Sequence, residues 1–242
     1  MSALPDAPTA ASLAHLHAGL WRADSLSAAP QPVLASGHAA LDAVLPGGGW
    51  PVGALCELLQ PPGQHSEWRL LLPALARSGQ GAVVLVAPPG VPFAPALAAQ
   101  GLAAQRLVWL RLAPDQEHER LWAAEQALRC AQADAVLLWL PGPAHGAQAA
   151  HLRRLHLAAV QHGSLFFALR EHSARQQASA AVLRLGLGLA PHGTDSALQV
   201  EVIKRRGPPL QAPVHLGARV AAVATVLAAG DTHVVAGTAH RA

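Results

Sequence analysis

Residues 60–67, Gln-Pro-Pro-Gly-Gln-His-Ser-Glu, lie between an apolar run and a helical segment, where a phosphate-binding loop would sit. Such a loop follows the pattern GxxxxGK[ST]. Its glycines let backbone N–H groups wrap the phosphates, its Lys neutralises the β- and γ-phosphates, and its hydroxyl holds Mg²⁺. Here Pro61 and Pro62 carry no N–H, the stretch has no Lys, and Glu67 stands where the cation-binding hydroxyl belongs. A second strand that should end in a metal-binding Asp is also changed, because Ala135–Leu140 closes with Trp139, Leu140 and Pro141. Two independent departures argue against ATP hydrolysis more strongly than one.

Other chemistry-bearing patterns are weaker. Gly47-Gly-Gly49 with Gly53 precedes Trp50-Pro51 and an apolar run, so it reads as a glycine-rich turn entering a sheet, not as a helix-leading nucleotide loop. The chain has 14 histidines, yet His145, His151, His156 and His162 are not spaced i,i+4 and do not share a helical face. No HExxH motif or Cys/His cluster occurs, so no metal is expected. Cys56 and Cys130 are isolated and read as reduced thiols. Ser36 and Ser164 lack a GxSxG context, which leaves a hydrolase triad without support. The sequence implies no cofactor. The one cationic cluster, Lys204-Arg205-Arg206, closes a strand ahead of Gly207-Pro208-Pro209 and could contact an acidic partner or nucleic-acid phosphates. No aromatic is interleaved there to stack a base, which weakens the DNA reading.

The elements that must position these residues follow from composition and periodicity. Of 242 residues 52% are hydrophobic and 13% charged, which excludes disorder over most of the chain. Near-continuous apolar runs at Ala54–Leu59, Ala82–Ala87, Leu107–Leu112, Ala135–Leu140 and Ser164–Leu169 predict strands covered on both faces. Between them Ser66–Ser78, Pro92–Gln100, Asp115–Gln132 and Gly146–Gln161 are long enough for crossover helices, with a Glu125–Arg129 i,i+4 ion pair. Period-two alternation over Val182–Leu189 and Leu198–Ile203 predicts an antiparallel hairpin that extends the sheet. The fold class is therefore α/β, a mostly parallel sheet flanked by helices with a C-terminal antiparallel hairpin.

Residues 1–32 read as a leader, a short amphipathic helix over Ser12–Trp21 and a tether from Ser25 to Pro32. Leu13, Leu16 and Leu20 form its stripe with Trp21 beside it, and such a helix packs on its own domain or on a partner. Residues 33–217 form the α/β domain, and 218–242 read as an apolar helix and tail. No apolar run is long enough to span a bilayer, and Asp6 with no preceding Lys or Arg does not fit a secretory n-region, so a cytoplasmic protein without membrane partners is expected. The net charge of +3 hides an asymmetry: −3 over residues 1–140 and +6 over 141–242. The basic half permits an acidic partner or a polyanion. That 16 of 17 cations are Arg fits a GC-rich genome.

The same segments in this order resemble the RecA-like recombinase core and, within it, the ImuA family of translesion-synthesis-associated proteins, sometimes described as SulA-like. The resemblance rests on Leu20-Trp-Arg22, Ser36–Gly53, Arg69–Ala76, Val86–Gly90 with Pro95–Leu97, and Val200–Gly207, and covers about residues 20–216. It implies a degenerate Walker A at Gln60, Gly63, His65, Ser66 and Glu67, with Ser66 where the Lys would be, and a degenerate Walker B at Trp139. Ala87-Pro-Pro89 carries no catalytic Glu, and the loops after Leu140 and Leu169, which bind DNA in recombinases, look short. The resemblance implies a non-catalytic protein of damage-induced mutagenesis. Its expected partners are ImuB, an inactive Y-family polymerase relative, an error-prone C-family DNA polymerase reached through ImuB, and RecA. A SulA-type division inhibitor binding FtsZ is the alternative, which the long Ser36–Gly53 segment disfavours.

Overall fold

A computed structural model describes residues 31–113, 115–140, 142, 146–189 and 198–217. The predicted strands and helices appear in the expected order: β3 (Ala54–Gln60), α2 (Glu67–Leu75), β4 (Ala82–Val86), α3 (Ala94–Ala99), β5 (Leu107–Leu110), α4 (Glu117–Arg129), β6 (Ala133–Leu140), α5 (Gly146–His162) and β7 (Leu165–Glu171). β8 (Leu183–Leu189) and β9 (Leu198–Lys204) follow as the hairpin, and β10 (Val214–Leu216) closes the sheet. Ahead of them β1 (Val33–Leu34), α1 (Ala39–Asp42) and β2 (Trp50–Pro51) form a small lead-in.

The main sheet has eight strands in the order β10-β9-β8-β3-β7-β6-β4-β5. β8, β3, β7, β6, β4 and β5 are mutually parallel, whereas β9 pairs antiparallel with β8 and with β10. This is the α/β architecture expected from the sequence and is consistent with a RecA-like core. Alternate residues of one strand enter different cores: Leu137 packs with Cys56, Leu70 and Phe167 on one face, and Leu138 with Leu55, Leu121 and Phe166 on the other. That two-sided burial is why the central runs read as continuously apolar, whereas β5, expected to be covered on both faces, is the edge of the sheet and has Val108 and Trp109 exposed.

Element ends differ from the sequence reading for local reasons. The helix expected over Ser66–Ser78 spans only Glu67–Leu75, and it contains Pro73, which cannot donate an intrahelical hydrogen bond. β5 stops at Leu110, two residues short of expectation, and the Leu110 carbonyl accepts from the Ala87 N–H just after β4. β1, β2 and β10 are each two or three residues long, too short to leave a periodic signature.

The Gly47–Gly49 run is a turn into the sheet, as the sequence suggests. Pro46–Gly48 form a 3₁₀ turn, and a Cβ on Gly49 would lie 2.3 Å from the Leu34 carbonyl oxygen, so β1 and β2 approach each other only with glycine there. Upstream, Asp42 Oδ1 accepts the Ser36 N–H at 2.7 Å and Ser36 Oγ accepts the His38 N–H at 3.1 Å, which fixes the turn leading into α1. Among the described residues no helix is long and apolar enough to cross a membrane. The Ser12–Trp21 helix with Leu13, Leu16, Leu20 and Trp21, the turn around Pro191–Asp195 and the 218–242 segment lie outside the described residues.

Candidate functional site

The helix after β3 lies on one face of the sheet and the helices after β5 and β6 on the other, so a crevice opens beyond the carboxyl ends of the central strands, where ligands bind in open α/β sheets. A cleft of about 540 Å³ occupies that place. Its walls are the 60–65 loop, Ala87–Pro89, Leu112, Arg120 and the strand ends Trp139–Leu140 and Leu169–Glu171. The 60–65 loop and the strand ends at Trp139 and Leu169 thus line one crevice at the carboxyl edge of the sheet.

The loop is shaped by its own residues. Gly63 has φ +74° and follows Pro62, and the Gln64 N–H donates to the Pro61 carbonyl at 3.1 Å, which makes a type II-like turn that requires glycine at the third position. Gln60, the last residue of β3, holds the loop from within. Its Oε1 accepts the Ser66 N–H at 3.2 Å, and its Nε2 donates to Glu67 Oε2 at 3.0 Å. The other Glu67 oxygen, Oε1, accepts from Trp139 Nε1 at 3.3 Å and lies 3.7 Å from His65 Nδ1. Glu67 is 1% exposed and opens α2, where the helix dipole favours a carboxylate.

Ser66, not a Lys, precedes Glu67, Pro61 and Pro62 have no N–H to offer, and the two Glu67 oxygens accept from Gln60 and from Trp139. Trp139 at the end of β6 and Glu67 at the start of α2 thus meet directly. The rim holds one backbone of unusual shape: Ala87, with φ +53°, turns the chain from β4 into Pro88-Pro89.

Behind the cleft lies a buried polar network that sequence reasoning missed. Glu57 in the middle of β3 is fully buried. Its Oε1 accepts from Arg170 Nη1 at 3.1 Å and from Ser179 Oγ at 2.7 Å, and its Oε2 accepts from Arg184 Nε at 2.7 Å. Arg170 Nη2 also donates to Gln148 Oε1 and Gln177 Oε1 at 2.9 and 2.8 Å. Arg184 donates to the carbonyls of Ala174, Arg175 and Gln177, in and just after the short 3₁₀ turn His172–Gln176 that follows β7. So short a turn leaves carbonyls without partners of its own, and Arg184 supplies donors there. Three charged residues at alternate positions of three otherwise apolar strands were the available signal.

The cationic cluster divides. Lys204 and Arg206 are exposed, and Lys204 Nζ donates to the Ser179 carbonyl at 3.0 Å. Arg205 is half-buried, and its guanidinium is held by the Pro208 and Val44 carbonyls, so it braces the strand end against the 44–45 turn. The isolated residues have structural partners as well. Ser164 Oγ donates to the Ala133 carbonyl at 2.8 Å, Cys56 is buried with its thiol pKa pushed up by desolvation, and Cys130 is exposed. His156 Nδ1 accepts the Leu55 N–H at 3.1 Å, and burial holds its pKa below the ordinary 6.5. Among the described residues no group of three or more His, Cys, Asp or Glu could hold a metal. No protein-family model and no curated protein matches the chain.

Proposed function

We propose that this chain is a non-catalytic, RecA-like accessory protein of SOS-induced translesion DNA synthesis, a pseudo-ATPase that works in the cytoplasm through protein contacts. Its direct partner is an ImuB-type Y-family polymerase-like protein, through which it serves an error-prone C-family DNA polymerase; RecA is a second partner. The observation that carries the reading is the closure of the degenerate site, in which Gln60 and Trp139 occupy both oxygens of Glu67. With both Glu67 oxygens engaged by the chain's own side chains, the surface of the domain is left as the working part.

That surface offers contact area. β5 ends the sheet as an apolar Leu-Val-Trp-Leu strand, and Val108 and Trp109 on its two faces are exposed. Val91 and Phe93, in the loop after β4, are exposed to about 70%. Exposed apolar groups at an unpaired sheet edge favour partner binding. Purification of the full chain with an ImuB-type protein and with RecA tests the reading. It predicts a stable complex with the ImuB-type protein, and a deletion strain that loses damage-induced mutation. Absence of any complex together with unchanged mutation frequency overturns it.

A further inference from the structure

The outer surface of α4 and α5 carries side chains that the core does not use. The two helices lie side by side and run the same way. Glu125 joins them, accepting from Arg129 Nη2 at 2.7 Å and from Arg154 Nη2 at 2.6 Å. Trp122 stands one turn before Glu125 on α4, and Leu157 one turn after Arg154 on α5, so both flank the ion pair on the solvent side. Trp122 is 57% exposed, Leu157 56% and Val160 54%, although the opposite sides of the same helices bury Leu121, Leu128, Leu152 and Leu155. Arg153 is also exposed. Arg129 and Arg154 share the buried Glu125 carboxylate and Arg153 is exposed next to Arg154 in sequence, so cations outnumber the carboxylate at this end of the helix pair.

We propose that this face docks an acidic, helix-forming segment of a second protein. Trp and Arg are the residues that most often anchor interfaces, and a partner carboxylate here would meet Arg153 and Arg154 at the edge of an apolar contact with Trp122 and Leu157. Charge complementarity selects an acidic occupant. Nucleic acid fits less well, because a phosphate backbone has no use for exposed Leu157 and Val160. The proposal rests on the reading of the chain as a protein-binding scaffold and names one of its surfaces.

The test titrates the full chain with a labelled amphipathic helical peptide of about five turns, Leu on one face and Glu on the other, and with the same peptide carrying Lys for Glu. The Glu peptide should bind at least roughly tenfold tighter than the Lys peptide, and Trp122→Ala, Leu157→Asp and the Arg153→Glu/Arg154→Glu pair should each remove that preference, with melting temperatures unchanged. Equal binding of the two peptides, or variants that bind as the parent does, overturns the proposal. So does tight binding of a DNA duplex that depends on Arg153 and Arg154, or a dimer that Leu157→Asp converts to monomer; these results assign the face to nucleic acid or to a second copy. Failure of the ImuB-type protein to bind the parent chain counts against the function proposed above, and the peptide result still decides this surface.

Discussion

The indole N–H of Trp139 donates to the carboxylate of Glu67 at 3.3 Å, across a separation of 72 residues. Both groups are buried, so the pair joins the end of β6 to the first turn of α2 by a charge-assisted hydrogen bond. Trp139→Phe removes the donor and part of the ring volume, and should cost about 1–3 kcal/mol in denaturant unfolding for the lost bond, with a cavity cost added. Trp139→Phe and Glu67→Leu should be strongly non-additive, since each removes one partner of the same bond. Additive losses would show that the two residues are energetically independent.

Glu57 is the hub of the buried network, and its removal leaves Arg170 and Arg184 without a carboxylate. Glu57→Gln should destabilise by roughly 3–5 kcal/mol, the cost typical of an uncompensated buried charge. Arg184→Met should be milder at the carboxylate, which keeps Arg170 and Ser179, but it strips the donors from the Ala174, Arg175 and Gln177 carbonyls. Amide exchange over residues 172–181 should accelerate in that variant before the rest of the sheet loosens.

His156 gives stability a pH dependence of definite sign. Burial, then the charge of Lys204, holds its folded pKa below 6.5, so the unfolded chain takes up the proton first. Stability is complete above 6.5 and falls as the pH drops from there toward the folded value. Protonation also removes the acceptor of the Leu55 N–H. Half-buried His38, whose Nε2 lies 3.2 Å from the Leu70 carbonyl and whose pKa desolvation also lowers, acts in the same direction. His156→Gln should therefore flatten part of the decline between about pH 5 and 7, as followed by urea unfolding across that range. An unchanged slope would mean that His156 titrates alike in both states.

Lys204 and Arg206 should be separable from Arg205. Lys204→Glu with Arg206→Glu should leave the melting temperature nearly unchanged and weaken binding of an acidic partner in a salt-dependent way. Arg205→Ala should instead cost about 1 kcal/mol of stability, because it frees the Val44 and Pro208 carbonyls. If the double charge reversal unfolds the protein, the whole cluster is structural.

The strands and crossover helices were legible because two-sided burial and helical spacing leave strong patterns in the sequence. The hairpin was legible from period-two alternation. The closure of the degenerate site was not. Gln60, Glu67 and Trp139 each read as a missing function, and only the geometry joins them into one bond network. Glu57, Arg170 and Arg184 were invisible for a related reason: each is one charge in an apolar strand, and their pairing depends on the order in which β7, β3 and β8 lie side by side. Arg205 looked like its neighbours because sequence does not show which of three adjacent cations turns inward.

Calorimetric titration of the full chain with ATP and Mg²⁺ tests the central claim most directly. The closed Gln60–Glu67–Trp139 site predicts no saturable heat up to millimolar nucleotide and no phosphate release above background. A stoichiometric site of micromolar affinity, or turnover abolished by a substitution at Glu67, would contradict it.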